Sequence, residues 1–302
     1  MFRRRPAPPP EFPDRARPLP DGWTEAELYA VMRTIRVDEG AENELEGYIA
    51  DAFFRFLHTW GMVRDEKGRA LELGANPYFT TWLLDEFTDL DVRLANYFGA
   101  LGTDLVQKVS FRDRDGATRE MSLTSAQFNM EEDPFPYEDD SFDVVLFCEI
   151  IEHLLMDPLH SLREIHRVLR PGGLLVTTTP NVARLGNVLS MVAGENIYDP
   201  YSGHGPYGRH NREYTLHELV HVLRFAGFDV ESSFTANAHP ESFTHRYEYE
   251  RVAPTLTFRA NDLGQYLFVA ARATRTPGTG LPSFLYRSWP ADQPLVDVFT
   301  LD

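Results

Sequence analysis

The run from Ser141 to Asn181 constrains this chain more than any other stretch. Phe142 to Cys148 (FDVVLFC) is an apolar run of strand length, and Gly173 to Thr178 (GLLVTT) is a second. Between them, Pro158 to Leu169 sets Leu162, Ile165 and Leu169 at helical spacing, and Pro171-Gly172-Gly173 stops the helix. Parallel strands need a crossover, so strand, helix and strand at these lengths predict a parallel, doubly wound α/β sheet.

Flanking segments extend the pattern. Ala70 to Leu73 reads as a buried strand ending at Gly74, and Asp91 to Asn96 as the next. Val109-Ser110-Phe111 and Arg119-Glu120-Met121 surround Asp115-Gly116, a pair suited to the positive φ of a tight turn, which predicts a small inserted β-hairpin. Thr215 and Glu218 have capping-box spacing ahead of a helix with Leu216, Leu219, Val220 and Leu223 inward, closed by Gly227. Phe228 to Phe234 and Gln265 to Ala271 are the last two strand candidates.

Upstream, Thr24 and Glu27 form another capping-box pair, leading a helix with Leu28, Val31, Met32 and Ile35 on one face. A longer helix follows, with Leu45, Tyr48, Ile49, Ala52, Phe53, Phe56, Leu57 and Trp60 recurring at steps of three and four, a stripe expected to be core. Residues 1–20 hold seven prolines and five arginines and are expected to form a disordered tail. The expected organisation is therefore that tail, N-terminal helices over 21–66 packing on the core, a main domain over 67–274, and an irregular tail over 275–302. Within the main domain, the alternation lapses over 183–214, a stretch rich in Gly, Tyr, His and Asn that is expected to form a lid.

Composition narrows the partners. With 29 basic and 46 acidic side chains the formal charge is −17, which argues against nucleic acid because phosphate contacts need local Lys and Arg. The single cysteine, Cys148, excludes an intramolecular disulfide framework and a Cys-rich zinc site. It is read as a structural thiol, not a nucleophile. No apolar stretch is long enough to span a bilayer, and prolines follow Arg3 to Arg5 where a signal-peptide core would lie. A cytoplasmic location with no membrane partner is expected.

Four segments carry chemistry. Leu71-Glu72-Leu73-Gly74-Ala75-Asn76-Pro77-Tyr78 turns from strand to helix at a glycine, where backbone can approach a ligand. Asn96 ends the next strand, and Phe128-Asn129-Met130 precedes Pro134-Phe135-Pro136. Ser141-Phe142-Asp143-Val144-Val145 then runs through Cys148-Glu149-Ile150-Ile151-Glu152-His153 to Arg167-Val168-Leu169-Arg170-Pro171-Gly172-Gly173 and Thr179-Pro180-Asn181.

In this order the segments resemble the class I S-adenosylmethionine-dependent methyltransferases, in the branch with E-x-x-E-H, RVL-x-PGG and TTPN motifs. The resemblance covers residues 70–235. It implies a Rossmann-like sheet of seven strands in the order 3-2-1-4-5-7-6, preceded here by the helical extension, with the donor across the carboxyl ends of the central strands. It also implies that Glu72, Gly74, Ala75, Asn76, Asn96, Asn129, Met130 and Cys148 surround S-adenosyl-L-methionine. Two departures stand out. Asn76 and Tyr78 replace glycines of the first motif, and Asn96 and Asn129 stand where acids are usual. Neutral hydrogen bonds are weaker than charge-assisted ones, so reduced donor affinity is expected.

If a helix begins by Glu149, then Glu149, Glu152 and His153 share one face at the methyl-donor end. Relatives in the branch use such a triad to hold a divalent ion, and the resemblance implies Mg²⁺ or Mn²⁺ on Glu149, Glu152, His153 and a later histidine, best matched by His210. Such an ion lowers the pKa of an acceptor hydroxyl. Without it, His153 is the leading base, with Glu149 beside it. His217 and His221, four apart on a helix, are read as surface or packing residues.

Methyl transfer to a hydroxyl of a polar small molecule or saccharide is the expected reaction, with Tyr207 and His204 of the lid against the acceptor. Two alternatives remain open at this point: a methyltransferase-like scaffold without activity, and a nicotinamide-dependent Rossmann enzyme. The second is disfavoured because G-x-G-x-x-G is missing. Oligomeric state is not legible in the sequence.

Overall fold

Alternate residues of the 142–148 run are buried on opposite faces of a central sheet. Val145 and Phe147 pack into one apolar cluster and Val144 and Leu146 into another, which is why the run shows no polar alternation. The computed structural model describes residues 10–38, 42–97, 100–239, 246–288, 290 and 294–297. Its first elements are α1 (Glu25–Met32), β1 (Arg36–Val37), α2 (Glu42–Val63), β2 (Lys67–Leu73) and α3 (Phe79–Phe87). β3 (Asp89–Asn96), β4 (Asp104–Arg112), β5 (Thr118–Gln127), β6 (Phe142–Cys148), α4 (Pro158–Val168) and β7 (Leu169–Pro180) follow. The chain continues through α5 (Leu185–Ala193), α6 (Leu216–Phe225), β8 (Phe228–Ala236), α7 (Arg246–Val252) and β9 (Tyr266–Ala273).

Among the described residues the main sheet has nine strands, not seven, in the order β1-β4-β5-β3-β2-β6-β7-β9-β8. β5, β3, β2, β6 and β7 run parallel, and β9 is antiparallel to both β7 and β8. The extra strands are β4, antiparallel to β5, and the short β1 on its edge. The expected inserted hairpin is real in register, with Ser110 opposite Glu120, but it is no insert. Its second arm runs on to Gln127 and pairs in parallel with β3, so it belongs to the central sheet.

Helices cover both faces. Leu159, Leu162, Ile165 and Val168 of α4 and Leu219, Val222 and Leu223 of α6 bury one face, with Leu71, Val145 and Leu175 beneath them. On the other face Val63 of α2 and Leu84 of α3 meet Ala70, Val144 and Leu174. The predicted α2 stripe is mostly core: Ile49, Ala52, Phe53, Phe56, Leu57 and Trp60 are buried, whereas Tyr48 is 39% exposed. The caps behave as local chemistry dictates. Thr24 and Glu27 form the reciprocal capping box of α1. Thr215 caps α6 through the Glu218 amide, while the Glu218 carboxylate is taken by Arg212.

Three expectations about the periphery need correction. The leader packs on the body from residue 10 onward; residues 1–9 lie outside the described residues. The Arg15 guanidinium lies 3.9 Å from the Phe234 ring centroid and that of Arg17 4.0 Å from Phe54, so arginines expected to be solvated find aromatic faces. The 183–214 stretch contains α5, closed by Gly194 at φ +83°. In the C-terminal stretch β10 (Leu281–Pro282) and β11 (Leu295–Val296) pair in parallel, and buried Tyr286 donates to Asp157 Oδ1 at 2.5 Å. No described helix is long and apolar enough to cross a membrane.

Candidate active site

The carboxyl ends of β2, β3 and β6 meet a cleft of about 220 Å³ lined by Gly74, Asn76, Asn96, Tyr97, Asn129, Met130, Glu149, Ile150, His153, Leu154 and Tyr207. A narrower crevice of about 30 Å³ shares Gly74 and Asn76 with it and adds Glu72, Ala75, Cys148 and, from α2, Tyr48 and Arg55. All eight positions expected to surround the donor line one or the other.

Gly74 makes the corner possible. It has φ +65°, and a Cβ there would lie 3.1 Å from the Ile150 side chain. Tyr78, which replaces a glycine, also has a left-handed φ of 70°. Its ring turns away from the cleft into the cluster under α2 and α3, and its hydroxyl donates to Gln107 Oε1 at 2.6 Å. It lines neither cavity. Asn96 lies at the cleft wall, but its side chain braces the corner, with Oδ1 accepting from the Asn76 amide at 3.1 Å and Nδ2 reaching the Tyr78 hydroxyl at 3.4 Å. Asn129 Nδ2 donates to the Tyr207 hydroxyl at 3.3 Å.

Arg55 is the residue that sequence spacing missed. On α2 it is only 5% exposed, its Nη1 lies 3.2 Å from Glu149 Oε2, and its Nη2 donates to Tyr48 at 2.8 Å. Burial opposes its charge, yet Tyr48, Tyr266 and Glu152 around it raise its pKa on balance. Among the described residues its Nε is buried without a partner. An arginine inside a long apolar stripe was the available signal. Across the crevice, burial pushes the Glu72 carboxyl up to about 8, against a 2.6 Å hydrogen bond from Thr81. Burial also pushes the Cys148 thiol up to about 12, in line with an inert thiol.

The expected helix at Glu149 does not form. Glu149 has φ +55°, its amide donates to Thr178 O, and the chain turns through 150–153 before α4 begins at Pro158. The i, i+3, i+4 face therefore does not exist, and the four expected metal ligands split. Glu149 Oε1 accepts from Thr178 Oγ1 at 2.8 Å while Oε2 faces Arg55. Glu152, His153 and His210 do converge, with ligand atoms all within 4.8 Å of one another. Glu131 holds the turn after them, accepting from the amides of Leu155, Met156 and Asp157.

The converging groups have a defined chemistry. His153 Nδ1 donates to the Arg209 carbonyl at 2.9 Å, leaving its Nε2 as the free lone pair, 3.9 Å from Glu152 Oε1. His210 Nδ1 lies 3.1 Å from Glu213, which Arg184 also pairs. Burial opposes protonation of His210, but Glu213, Glu152 and Asp199 outweigh it and its pKa is raised. Glu152 is fully buried. Oε2 accepts from Thr179 at 2.9 Å, Oε1 has no hydrogen-bond partner among the described residues, and burial raises its pKa. A buried bare carboxylate oxygen facing two imidazoles, each tied at its other nitrogen, is a donor set that fits a divalent cation.

The two residues expected against an acceptor are placed differently from each other. Tyr207 closes the Asn129 end of the cleft, with its ring edge-on to Tyr97 at 5.1 Å, and His204 is exposed and lines neither cavity. His217 and His221 face each other on α6, Nε2 to Nε2 at 2.8 Å, outside both cavities.

Comparison with known proteins gives this geometry a family context. Residues 91–177 match a methyltransferase domain family. The chain is 33% identical over 153 residues to the "Probable S-adenosylmethionine-dependent methyltransferase" of Mycolicibacterium smegmatis, covering 47% of this chain and 53% of that protein. It is 35% identical over 92 residues to the ubiquinone biosynthesis O-methyltransferase of Ruegeria pomeroyi, covering 30% of this chain and 35% of that one. The chain thus spans about half the length of the first relative and about a third of the second. Among solved structures, a "SAM-dependent methyltransferase, possible histamine N-methyltransferase" from Thermotoga maritima is 16% identical, with a TM-score of 0.48 over 77% of this chain and 96% of that one. Residues 91–177 are thus similar to a methyltransferase domain, and both of the curated relatives named here are methyltransferases.

Proposed function

We propose that the chain is an S-adenosylmethionine-dependent methyltransferase that methylates a hydroxyl of a polar small molecule or saccharide, aided by a divalent cation such as Mg²⁺ or Mn²⁺. One observation carries the donor reading: the eight positions expected around the donor, from Glu72 to Cys148, line two adjoining cavities, and Tyr78 obstructs neither. The bound donor supplies an electrophilic methyl group.

Arg55, which lines the same crevice as Gly74, offers a charge-assisted bond to the donor's carboxylate end. Glu72 offers an acceptor for its amino group. Gly74, Asn76, Asn129 and Met130 form the walls along which the rest of the donor lies. In-line displacement requires chiefly alignment of the acceptor and removal of its proton.

Glu152, His153 and His210 would hold the divalent ion, which when bound supplies a Lewis acid to the acceptor hydroxyl. With no ion held, His153 Nε2 is the proton acceptor, because Nδ1 is committed to Arg209. Glu149 is not that base, since both its oxygens are engaged by Thr178 and Arg55. The O-methyltransferase relative supports a hydroxyl acceptor, and the −17 charge disfavours RNA.

Calorimetric titration with S-adenosylmethionine and S-adenosylhomocysteine tests the donor reading. Binding is expected, and none at millimolar ligand would leave only a scaffold. Transfer of labelled methyl to a polyol panel should fail after exhaustive chelation and return with Mn²⁺; full activity in the chelated enzyme would remove the ion.

A further inference from the structure

The lid segment 206–212 is fastened at both ends of the site. At one end Tyr207 meets Asn129 and Tyr97, all three lining the cleft. At the other, the Asn211 and Arg212 amides donate to the Glu152 carbonyl at 2.7 and 3.0 Å, and His153 Nδ1 donates to the Arg209 carbonyl. Asn211 Nδ2 joins the two: it donates to the His153 carbonyl at 2.8 Å and to the Pro206 carbonyl at 3.0 Å. Residues 206–211 are thereby closed into a small loop whose backbone is bonded to that of Glu152 and His153.

Asn129 Nδ2 is the donor at the wall expected to take the base, and the Tyr207 hydroxyl occupies it. The surrounding cleft is largely apolar, with Met130, Ile150 and Leu154, and suits a flat base covered by an aromatic ring. We infer that Tyr207 is a donor-sensing positioning residue, not an acceptor contact: a nucleoside in the cleft takes over Asn129, Tyr207 closes on its face, and the 206–211 loop tightens the turn carrying Glu152 and His153. The acceptor side is then set only after the donor is in place. This rests on the cleft being the donor site.

Hydrogen–deuterium exchange on the full chain, with and without saturating S-adenosylhomocysteine, tests it, with saturation verified by calorimetry for every variant. In the parent chain, exchange over 206–213 is expected to slow severalfold on binding, because the Asn211 and Arg212 amides are held more tightly. Tyr207→Ala should bind about tenfold more weakly, from the lost stacking. At saturation it should still slow exchange around Gly74 while leaving 206–213 unchanged. Tyr207→Phe, which keeps the ring, should respond like the parent. Unchanged or faster exchange over 206–213 in the parent, a full response in Tyr207→Ala, or none in Tyr207→Phe would each overturn the inference while leaving the donor site standing. Failure of the parent chain to bind S-adenosylhomocysteine at all would remove the donor reading and this inference with it.

Discussion

Arg55 on α2 and Glu149 at the end of β6 form an ion pair of 3.2 Å whose side chains are 6% and 15% exposed. The N-terminal helices are therefore a wall of the site as well as a cover for the sheet. The Arg55 guanidinium is packed among the rings of Tyr48, Phe56 and Tyr266, at 5.6, 5.1 and 5.4 Å from their centroids.

Arg55→Ala is expected to weaken S-adenosylhomocysteine binding roughly 10- to 100-fold, the loss for a charged hydrogen bond. Methylthioadenosine, which lacks the carboxylate end, should bind as before. Glu149 would be left buried without a cation, so stability should fall by about 3–5 kcal/mol and recover in the Arg55→Ala/Glu149→Gln chain. Calorimetry and thermal melts check both; equal losses for the two ligands would place Arg55 away from the carboxylate.

Glu152→Gln removes a buried carboxylate whose Oε1 has no hydrogen-bond partner among the described residues. Without metal the variant should melt no lower than the parent. Excess Mn²⁺ should raise the parent's Tm by about 5 °C and the variant's not at all. A parent chain insensitive to Mn²⁺, Mg²⁺ and Zn²⁺ would show that the cluster holds no ion.

Glu72 has its pKa raised by burial from 4.5 to about 8. Between these values the unfolded chain has lost the proton that the folded chain keeps, so stability falls with rising pH. The contribution is whole below pH 4.5 and lost as pH climbs to 8. Melts from pH 5 to 9 should show this decline in the parent and a flatter profile in Glu72→Gln. Donor affinity should rise near pH 8, where Glu72 ionises to meet an ammonium group. Identical profiles for the two chains would contradict the assignment.

His58 has the opposite sign. It is 2% exposed, edge-on to Phe234 with Phe268 close by, and its Nε2 has no hydrogen-bond partner among the described residues. Burial, with Arg15 and Arg17 adding to it, pushes its pKa from 6.5 down to about 4. Its neutral form therefore stabilises the fold fully above pH 6.5, and this is lost as pH falls toward 4. His58→Phe should gain about 2 kcal/mol relative to the parent at pH 5 compared with pH 8. Denaturant melts at the two pH values measure the difference.

Much of this molecule was legible in local sequence chemistry. The unbroken apolar run 142–148 and the Pro158 start of α4 are short-range patterns that determined the strand–helix–strand unit at the centre of the sheet, whereas the predicted stop was misplaced: α4 ends at Val168, and Pro171-Gly172-Gly173 lies within β7. The glycine corner and the asparagines after β3 and β5 fell at the carboxyl ends of adjacent parallel strands, so their convergence on one cleft followed from topology. What only the tertiary structure decided lies between elements distant in sequence. Tyr78 leaves the cleft clear because α2 and α3 supply an apolar cluster for its ring and Gln107 accepts from its hydroxyl. Glu149 leaves the predicted metal set because Arg55 and Thr178 claim its carboxylate. His210 joins Glu152 and His153 because the backbone of 209–212 bonds to the turn that carries them. Residue spacing records which face of an element a side chain occupies. Which distant partner it meets depends on how the elements pack, and that is set by the whole fold.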